Sequence, residues 1–154
     1  MDELTVMTWN VRYFAQKTGG LRSTRRGMVE IAAAISQLEP LPDVLALQEV
    51  EDRSLRGGLD EVGQLGRFRG MLNNALHRAG AGGRFRGLYF PAHRYGAPTA
   101  PLYTTGLALL IREGIDVEHA GADEITAVRV PALAWLKQKR VVVHARLSWR
   151  GHRL

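Results

Sequence analysis

The chain has 154 residues, of which 45% are hydrophobic and 23% charged, so it is long enough and apolar enough to form about one globular domain. It contains no cysteine, which excludes disulfide bonds, thiolate metal sites and cysteine nucleophiles. Its formal net charge of +6 comes almost entirely from arginine and favours a polyanionic substrate or partner without requiring one.

The hydropathy of the chain gives no sign of a membrane segment. No apolar stretch approaches the ~18 residues that a membrane-spanning helix needs. The N-terminus, MDELT, lacks the basic and then apolar beginning of a secretory signal. We therefore expect a cytoplasmic protein without a transmembrane segment.

The first third of the chain alternates predicted strands and a helix. An apolar run over residues 4–10 predicts a strand that ends at Asn10, and a second run over 43–49 predicts one that ends at Glu49. Between them, the segment STRRGMVEIAAAISQLEPLP predicts a helix that Ser23 or Thr24 caps and Pro40 ends. Its apolar residues recur at helical spacing, namely Met28, Ile31, Ile35 and Leu38.

The middle and the end of the chain predict one more helix and then strands. A helical pattern over 61–80 carries an apolar stripe made of Leu65, Phe68, Leu72 and Leu76. RGLYF then predicts a short strand, and PAHRYGAPTAPLY a long surface loop. Turn residues separate four further β-rich segments, TTGLALLIRE, IDVEHAG, AVRVPALAWL and KRVVVHARLSW.

The two polar strand ends define the candidate site. A strand, a crossover helix and a second strand form a right-handed unit with parallel strands, so Asn10 and Glu49 should lie at the same edge of one sheet. Glu49 supplies a hard anionic oxygen suited to Mg²⁺, and Asn10 supplies an amide that can orient a ligand or a phosphate oxygen. The alternative is a pair of polar strand ends that bond to nearby backbone groups.

Four quoted segments resemble one protein family. LTVMTWNVRYF followed by PDVLALQEVED resembles the first two motifs of the endonuclease/exonuclease/phosphatase family. YTTGLALLIRE is similar to the central strand of that family, and KRVVVHARLSWRGHRL to the strand and turn that lead to its next motif. The resemblance covers essentially the whole chain and implies an α/β fold, a DNase I-like α/β sandwich truncated to its first half, with a mixed sheet and flanking helices.

The same resemblance implies a chemistry and roles for individual residues. It implies hydrolysis of phosphodiesters or phosphomonoesters that depends on Mg²⁺ or Mn²⁺. Glu49 corresponds to the metal-binding glutamate, and Asn10 to the active-site asparagine beside the metal and the scissile phosphate. Tyr103 corresponds to a substrate-facing tyrosine. Arg12 stands where the exonuclease-like branch often has Asp or Asn, and it offers a cation to a phosphate.

Three motifs of the family do not occur in the chain: the NTHL-like histidine motif, the GDFN-like pair and the SDH-like pair. No histidine has an acidic partner at motif spacing, and strand alternation makes His144 an outward or interlayer residue of its strand. We therefore expect residues 1–154 to be the N-terminal part of the domain, with the C-terminal part missing and no activity as the chain stands. The expected partners are a phosphate-ester substrate, with nucleic acid among the candidates, and the missing half or a protein that covers the open sheet.

Two further functional hypotheses stay open at this stage. One is a catalytically inactive remnant that acts as a binding or interaction module. The other is an arginine-rich nucleic-acid-binding domain without chemistry. DNA, RNA, inositol phosphates and sphingolipids all remain candidate substrates for the hydrolase hypothesis.

Overall fold

The first sheet contains the parallel pair of strands that the sequence predicts over residues 4–10 and 43–49. The computed structural model describes residues 3–14, 20–52, 62–97, 100–125 and 140–153. Strand β1 (Val6–Asn10) pairs in parallel with β2 (Val44–Glu51), and helix α1 (Gly20–Ile35) lies between them in the sequence. The register places Asn10 opposite Gln48, which confirms that the two polar strand ends share one edge.

A long antiparallel hairpin completes this sheet. Strand β3 (Phe85–Ala97) pairs with β4 (Ala100–Arg112), and β4 also pairs with β2, giving the order β1-β2-β4-β3. The predicted long loop over 91–103 is therefore wrong, because most of it is strand. Pro91 lies at a register shift of β3, an edge strand, where its missing N–H does not interrupt a regular ladder.

The helices cover one face of the first sheet. Helix α2 (Gly63–Arg78) buries Phe68, Leu72 and Leu76 completely, as the predicted stripe requires. These side chains share a core with Leu45 and Leu47 of β2. Helix α1 begins at Gly20, upstream of the predicted start.

The start of α1 differs from the prediction, which places the cap at Ser23 or Thr24. Thr24 is 1% exposed inside the helix and does not cap it. At the other end, Leu38 lies beyond the helix and is 39% exposed. None of the helices that the structure describes is both long and apolar enough to cross a membrane.

The opposite face of the first sheet packs against a second sheet. Strands β5 (Ile115–Ile125), β6 (Arg140–Trp149) and β7 (His152–Arg153) pair antiparallel in that order. Ile115 and Leu147 contact Val44 and Ile111 of the first sheet in one apolar cluster. Within the described residues the layers are thus helices, sheet and sheet, and the β-rich segment predicted over 127–136 lies outside those residues.

Candidate functional site

The ends of β1 and β2 bring the two predicted site residues into direct contact. The side-chain amide Nδ2 of Asn10 donates a hydrogen bond of 2.9 Å to Oε1 of Glu49. Asn10 is exposed and Glu49 partly exposed, so a ligand can reach both side chains. Among the described residues, the Glu49 carboxylate forms no second hydrogen bond.

A bulge in β2 sets the position of Glu49. Leu47 pairs with Ala108 and Val50 with Gly106, so Gln48 and Glu49 together oppose the single residue Leu107. Glu49 adopts φ 56°, a left-handed conformation that is uncommon for residues other than glycine. Because a bulge re-aims the side chain of the extra residue, it turns Glu49 out of the regular alternation of the strand.

A left-handed turn follows Asn10 at the end of β1. Arg12, Tyr13 and Phe14 have φ angles of 45°, 59° and 55°. The backbone N–H of Arg12 donates to Oδ1 of Asn10 at 3.0 Å, so the asparagine side chain stabilises the turn with its oxygen and contacts Glu49 with its nitrogen. Each left-handed residue costs about 1–2 kcal/mol, and strain of this kind is concentrated at functional sites.

Helix α2 links the two strained segments through one buried side chain. Gln64 is 0% exposed, and its Oε1 accepts the backbone N–H of Glu51 at 2.7 Å. Its Nε2 donates to the carbonyl oxygen of Tyr13 at 3.2 Å. The rings of Phe14 and Phe68 pack with centroids 4.6 Å apart beside this connection. A single glutamine therefore fixes the turn after Asn10 relative to the strand that carries Glu49.

Two more carboxylates follow Glu49 along the chain. Glu51 is 4% exposed, and the backbone N–H of Asp52 donates to the carbonyl oxygen of Thr104 at 2.9 Å. The Tyr89 hydroxyl lies 3.2 Å from that same carbonyl oxygen and 3.4 Å from that of Val50. Burial raises the pKa of the Tyr89 hydroxyl, and the negative charges of Asp52 and Glu51 raise it further. Sequence reasoning did not single out these carboxylates, although the acidic string EVED contains them.

The donor set of the site fits a hard divalent cation bound largely by water and substrate. Among the described residues, no group of three or more His, Asp or Glu side chains could hold a metal ion. Asn10 and Glu49 supply one amide and one carboxylate. Mg²⁺ is commonly held in this sparse way, through one or two carboxylates together with waters and substrate phosphates.

The two predicted substrate-binding residues belong to different elements, Arg12 to the turn after β1 and Tyr103 to β4. Arg12 is exposed, and none of the ion pairs among the described residues involves it. Tyr103 lies opposite Tyr95 in the hairpin, two residues before Thr105, which pairs with Glu51. The side chain of Tyr103 falls outside the described residues, so its predicted role stays a prediction.

Solved structures with a similar fold support this arrangement of sheets and helices. An endonuclease/exonuclease/phosphatase family protein from Leptotrichia buccalis C-1013-b superposes with a TM-score of 0.61 at 16% identity, covering 98% of this chain and 52% of that one. TDP2 from Caenorhabditis elegans gives 0.52 at 18% identity, covering 97% and 32%. The human Nocturnin catalytic domain with bound sulfate anion gives 0.50 at 18% identity, covering 98% and 47%.

These likenesses establish the DNase I-like fold, and the chain spans about half the length of the Leptotrichia protein. No curated protein sequence gives a significant match. The family assignment comes from the sequence profile of the Endonuclease/Exonuclease/phosphatase family, which matches residues 7–150. Since that match includes both strand ends of the site and nearly all of the 154 residues, the chain belongs to the endonuclease/exonuclease/phosphatase family.

Proposed function

We propose that this chain carries the metal-binding part of a phosphoesterase site that depends on Mg²⁺ or Mn²⁺. The observation that carries the proposal is the 2.9 Å contact between Asn10 and Glu49 at the accessible edge of the sheet. Family membership supports the reaction class, because the family consists of phosphoesterases and nucleases. The strained backbone on both sides of the contact supports a functional role for this edge.

Each residue of the site has a role in this proposal. Glu49 is the principal ligand of the metal. Asn10 orients the Glu49 carboxylate, and it offers its amide oxygen to the metal or its second amide N–H to the scissile phosphate. The bound metal would polarise the phosphoryl oxygens and favour the deprotonation of an attacking water. Arg12 neutralises charge on the phosphate, and Tyr103 contacts the substrate.

We further propose that residues 1–154 correspond to the N-terminal part of the family's domain and lack part of its active site. Hydrolysis needs a positioned general base and donors that stabilise the charge on the phosphoryl oxygens. Asn10 is neutral, and Glu49 is engaged with the metal, so neither residue supplies the base. The three motif strings that contain the family's remaining Asp and His residues do not occur in the sequence.

A turnover assay tests whether the site is complete. The chain is incubated with Mg²⁺ or Mn²⁺ and with plasmid DNA or bis-(p-nitrophenyl) phosphate, beside its Glu49→Gln variant. We expect no turnover above that of the variant. Metal-dependent turnover that disappears in Glu49→Gln would show that the chain contains a complete active site.

A binding assay separates the metal site from simple attraction between arginines and phosphates. Fluorescence anisotropy of a labelled single-stranded oligonucleotide is followed with and without Mg²⁺, using the chain, Glu49→Gln and Arg12→Gln. We expect Mg²⁺ to strengthen binding in the chain but not in Glu49→Gln, and Arg12→Gln to weaken it. Binding that falls with salt, ignores Mg²⁺ and is unchanged in Glu49→Gln would favour the arginine-rich nucleic-acid-binding alternative instead.

A further inference from the structure

Two histidines meet on the outer face of the second sheet, whereas Asn10 and Glu49 belong to the first sheet. In the antiparallel pair of β5 and β6, His119 lies opposite Arg146 and His144 lies opposite Gly121, so the histidines are diagonal neighbours. Their Nε2 atoms are 3.2 Å apart, and their rings lie nearly parallel with centroids separated by 5.3 Å. Both side chains are exposed to solvent.

The glycine opposite His144 makes this approach possible. A Cβ atom at Gly121 would lie 2.8 Å from Nε2 of His144 and 3.4 Å from Nε2 of His119. Any larger residue at this position would therefore occupy the space into which the two imidazoles converge. The pair thus depends on the sheet register and on one small residue, and not only on two flexible surface side chains.

The separation of the two nitrogens suits two ligands of one metal ion. Zinc binds histidine nitrogen at about 2.0–2.1 Å, so two nitrogens at the tetrahedral angle lie about 3.3 Å apart. Two nitrogens at the right angle of a square-planar site would lie only about 2.9 Å apart. The 3.2 Å separation lies between these two values, so both Nε2 atoms are close enough to bind one ion.

A carboxylate lies behind one of the two imidazoles. Oδ2 of Asp123 is 3.3 Å from Nδ1 of His144. A carboxylate in this position accepts the Nδ1 proton and leaves the lone pair of Nε2 directed at His119, the arrangement in which metal-binding histidines are held by a second group. In the metal-free chain, the His119 tautomer that carries its proton on Nε2 can donate to that lone pair. On binding, the His119 proton moves to Nδ1 through solvent, so that both Nε2 atoms donate a lone pair.

We propose that His119 and His144 form a binding site for a borderline transition metal of tetrahedral preference, Zn²⁺, with water completing the coordination and Asp123 orienting His144. Imidazole ligands favour Zn²⁺ over hard cations such as Mg²⁺, so the ion differs from the one proposed at Glu49. Arg146 shares this face and opposes the binding of a cation, which the Asp123 carboxylate offsets. The inference does not depend on the proposed phosphoesterase function.

Calorimetric titration with ZnCl₂ tests the site in the 154-residue chain carrying Glu49→Gln, in excess Mg²⁺, so that the other candidate metal site does not contribute. We expect one Zn²⁺ per chain. In the same background, His119→Gln and His144→Gln should each abolish this binding, and Asp123→Asn should weaken it by about tenfold. The matched control is His77→Gln, which removes an exposed histidine of α2 and should leave the affinity unchanged.

Two further measurements test the geometry of the histidine pair. Gly121→Ala should weaken Zn²⁺ binding, because the added methyl group separates the imidazoles, while circular dichroism shows the sheet retained. Co²⁺ in place of Zn²⁺ should give the intense visible absorption of tetrahedral coordination. Equal Zn²⁺ affinity in the chain with and without either histidine, or only the weak Co²⁺ absorption of octahedral coordination, would overturn the proposal.

Discussion

At the scale of single residues, the candidate site depends on a few polar side chains that each bond to more than one group. Asn10 contacts Glu49 with its nitrogen and the Arg12 backbone with its oxygen. Gln64 does the same between the strand end and the turn. Because both contacts of such a side chain are lost together, its replacement should disturb the site more than its size suggests.

Gln64→Leu should destabilise the chain by about 1–3 kcal/mol, because it leaves the buried N–H of Glu51 without its acceptor. It should also lower the affinity of the chain for Mn²⁺, although Gln64 is not a proposed ligand. Urea unfolding and metal titration measure the two effects. Asn74→Leu, at an exposed position of the same helix, is the control and should change the stability by no more than about 0.5 kcal/mol. Equal losses in the two variants would contradict this role of Gln64.

At the scale of secondary-structure elements, hydrophobic spacing predicts the parallel pair, both helices and the alternation of β6, and the structure confirms these. The placement of Asn10 and Glu49 at one edge of the sheet follows from the parallel strands of the β–α–β unit, whereas the bulge in β2 completes their contact. The bulge at Glu49 and the left-handed turn after Asn10 contain no glycine, so the local sequence does not predict their positive φ angles. The sequence predicts a loop in place of much of the β3–β4 hairpin because Pro91, Gly96 and Pro101 are typical loop residues. In the structure, Pro91 and Gly96 lie at register shifts of the edge strand β3.

Helix α1 approaches the turn after Asn10 closely at Gly27, and a substitution there tests this contact. A Cβ atom at Gly27 would lie 2.1 Å from the carbonyl oxygen of Phe14, which is backbone and cannot rotate away. Gly27→Ala should therefore destabilise the chain by about 1–3 kcal/mol. Gly70→Ala is the matched control in α2, where no atom lies within 4 Å, and it should stabilise the chain by up to about 1 kcal/mol. Thermal melts that shift in the same direction for both variants would contradict the close contact.

At the scale of the whole molecule, some apolar side chains and the edges of both sheets are not covered by any other described residue. Strand β1 is an edge of the first sheet and β5 an edge of the second. Val6, Ile125 and Val142 are 60%, 50% and 47% exposed. Unpaired edges with exposed apolar residues favour association between chains. This pattern agrees with the proposal that a further part of the domain, or a partner, covers these surfaces.

The isolated 154-residue chain should consequently self-associate or melt with low cooperativity. Light scattering after size exclusion, together with thermal melts, measures both properties across a range of concentrations. A monodisperse monomer with a cooperative melt would contradict the half-domain proposal and favour a self-sufficient module.

The central claim is that Glu49 and Asn10 form a divalent-metal site, and paramagnetic broadening by Mn²⁺ tests it most directly. The amide spectrum is recorded on the chain carrying His144→Gln, so that the histidine pair does not contribute. We expect weak binding, on the order of millimolar because water supplies most of the ligands, and broadening centred on residues 8–12 and 47–51 that disappears in Glu49→Gln. Broadening centred on Asp43 or Asp123, or unchanged by Glu49→Gln, would contradict the assignment.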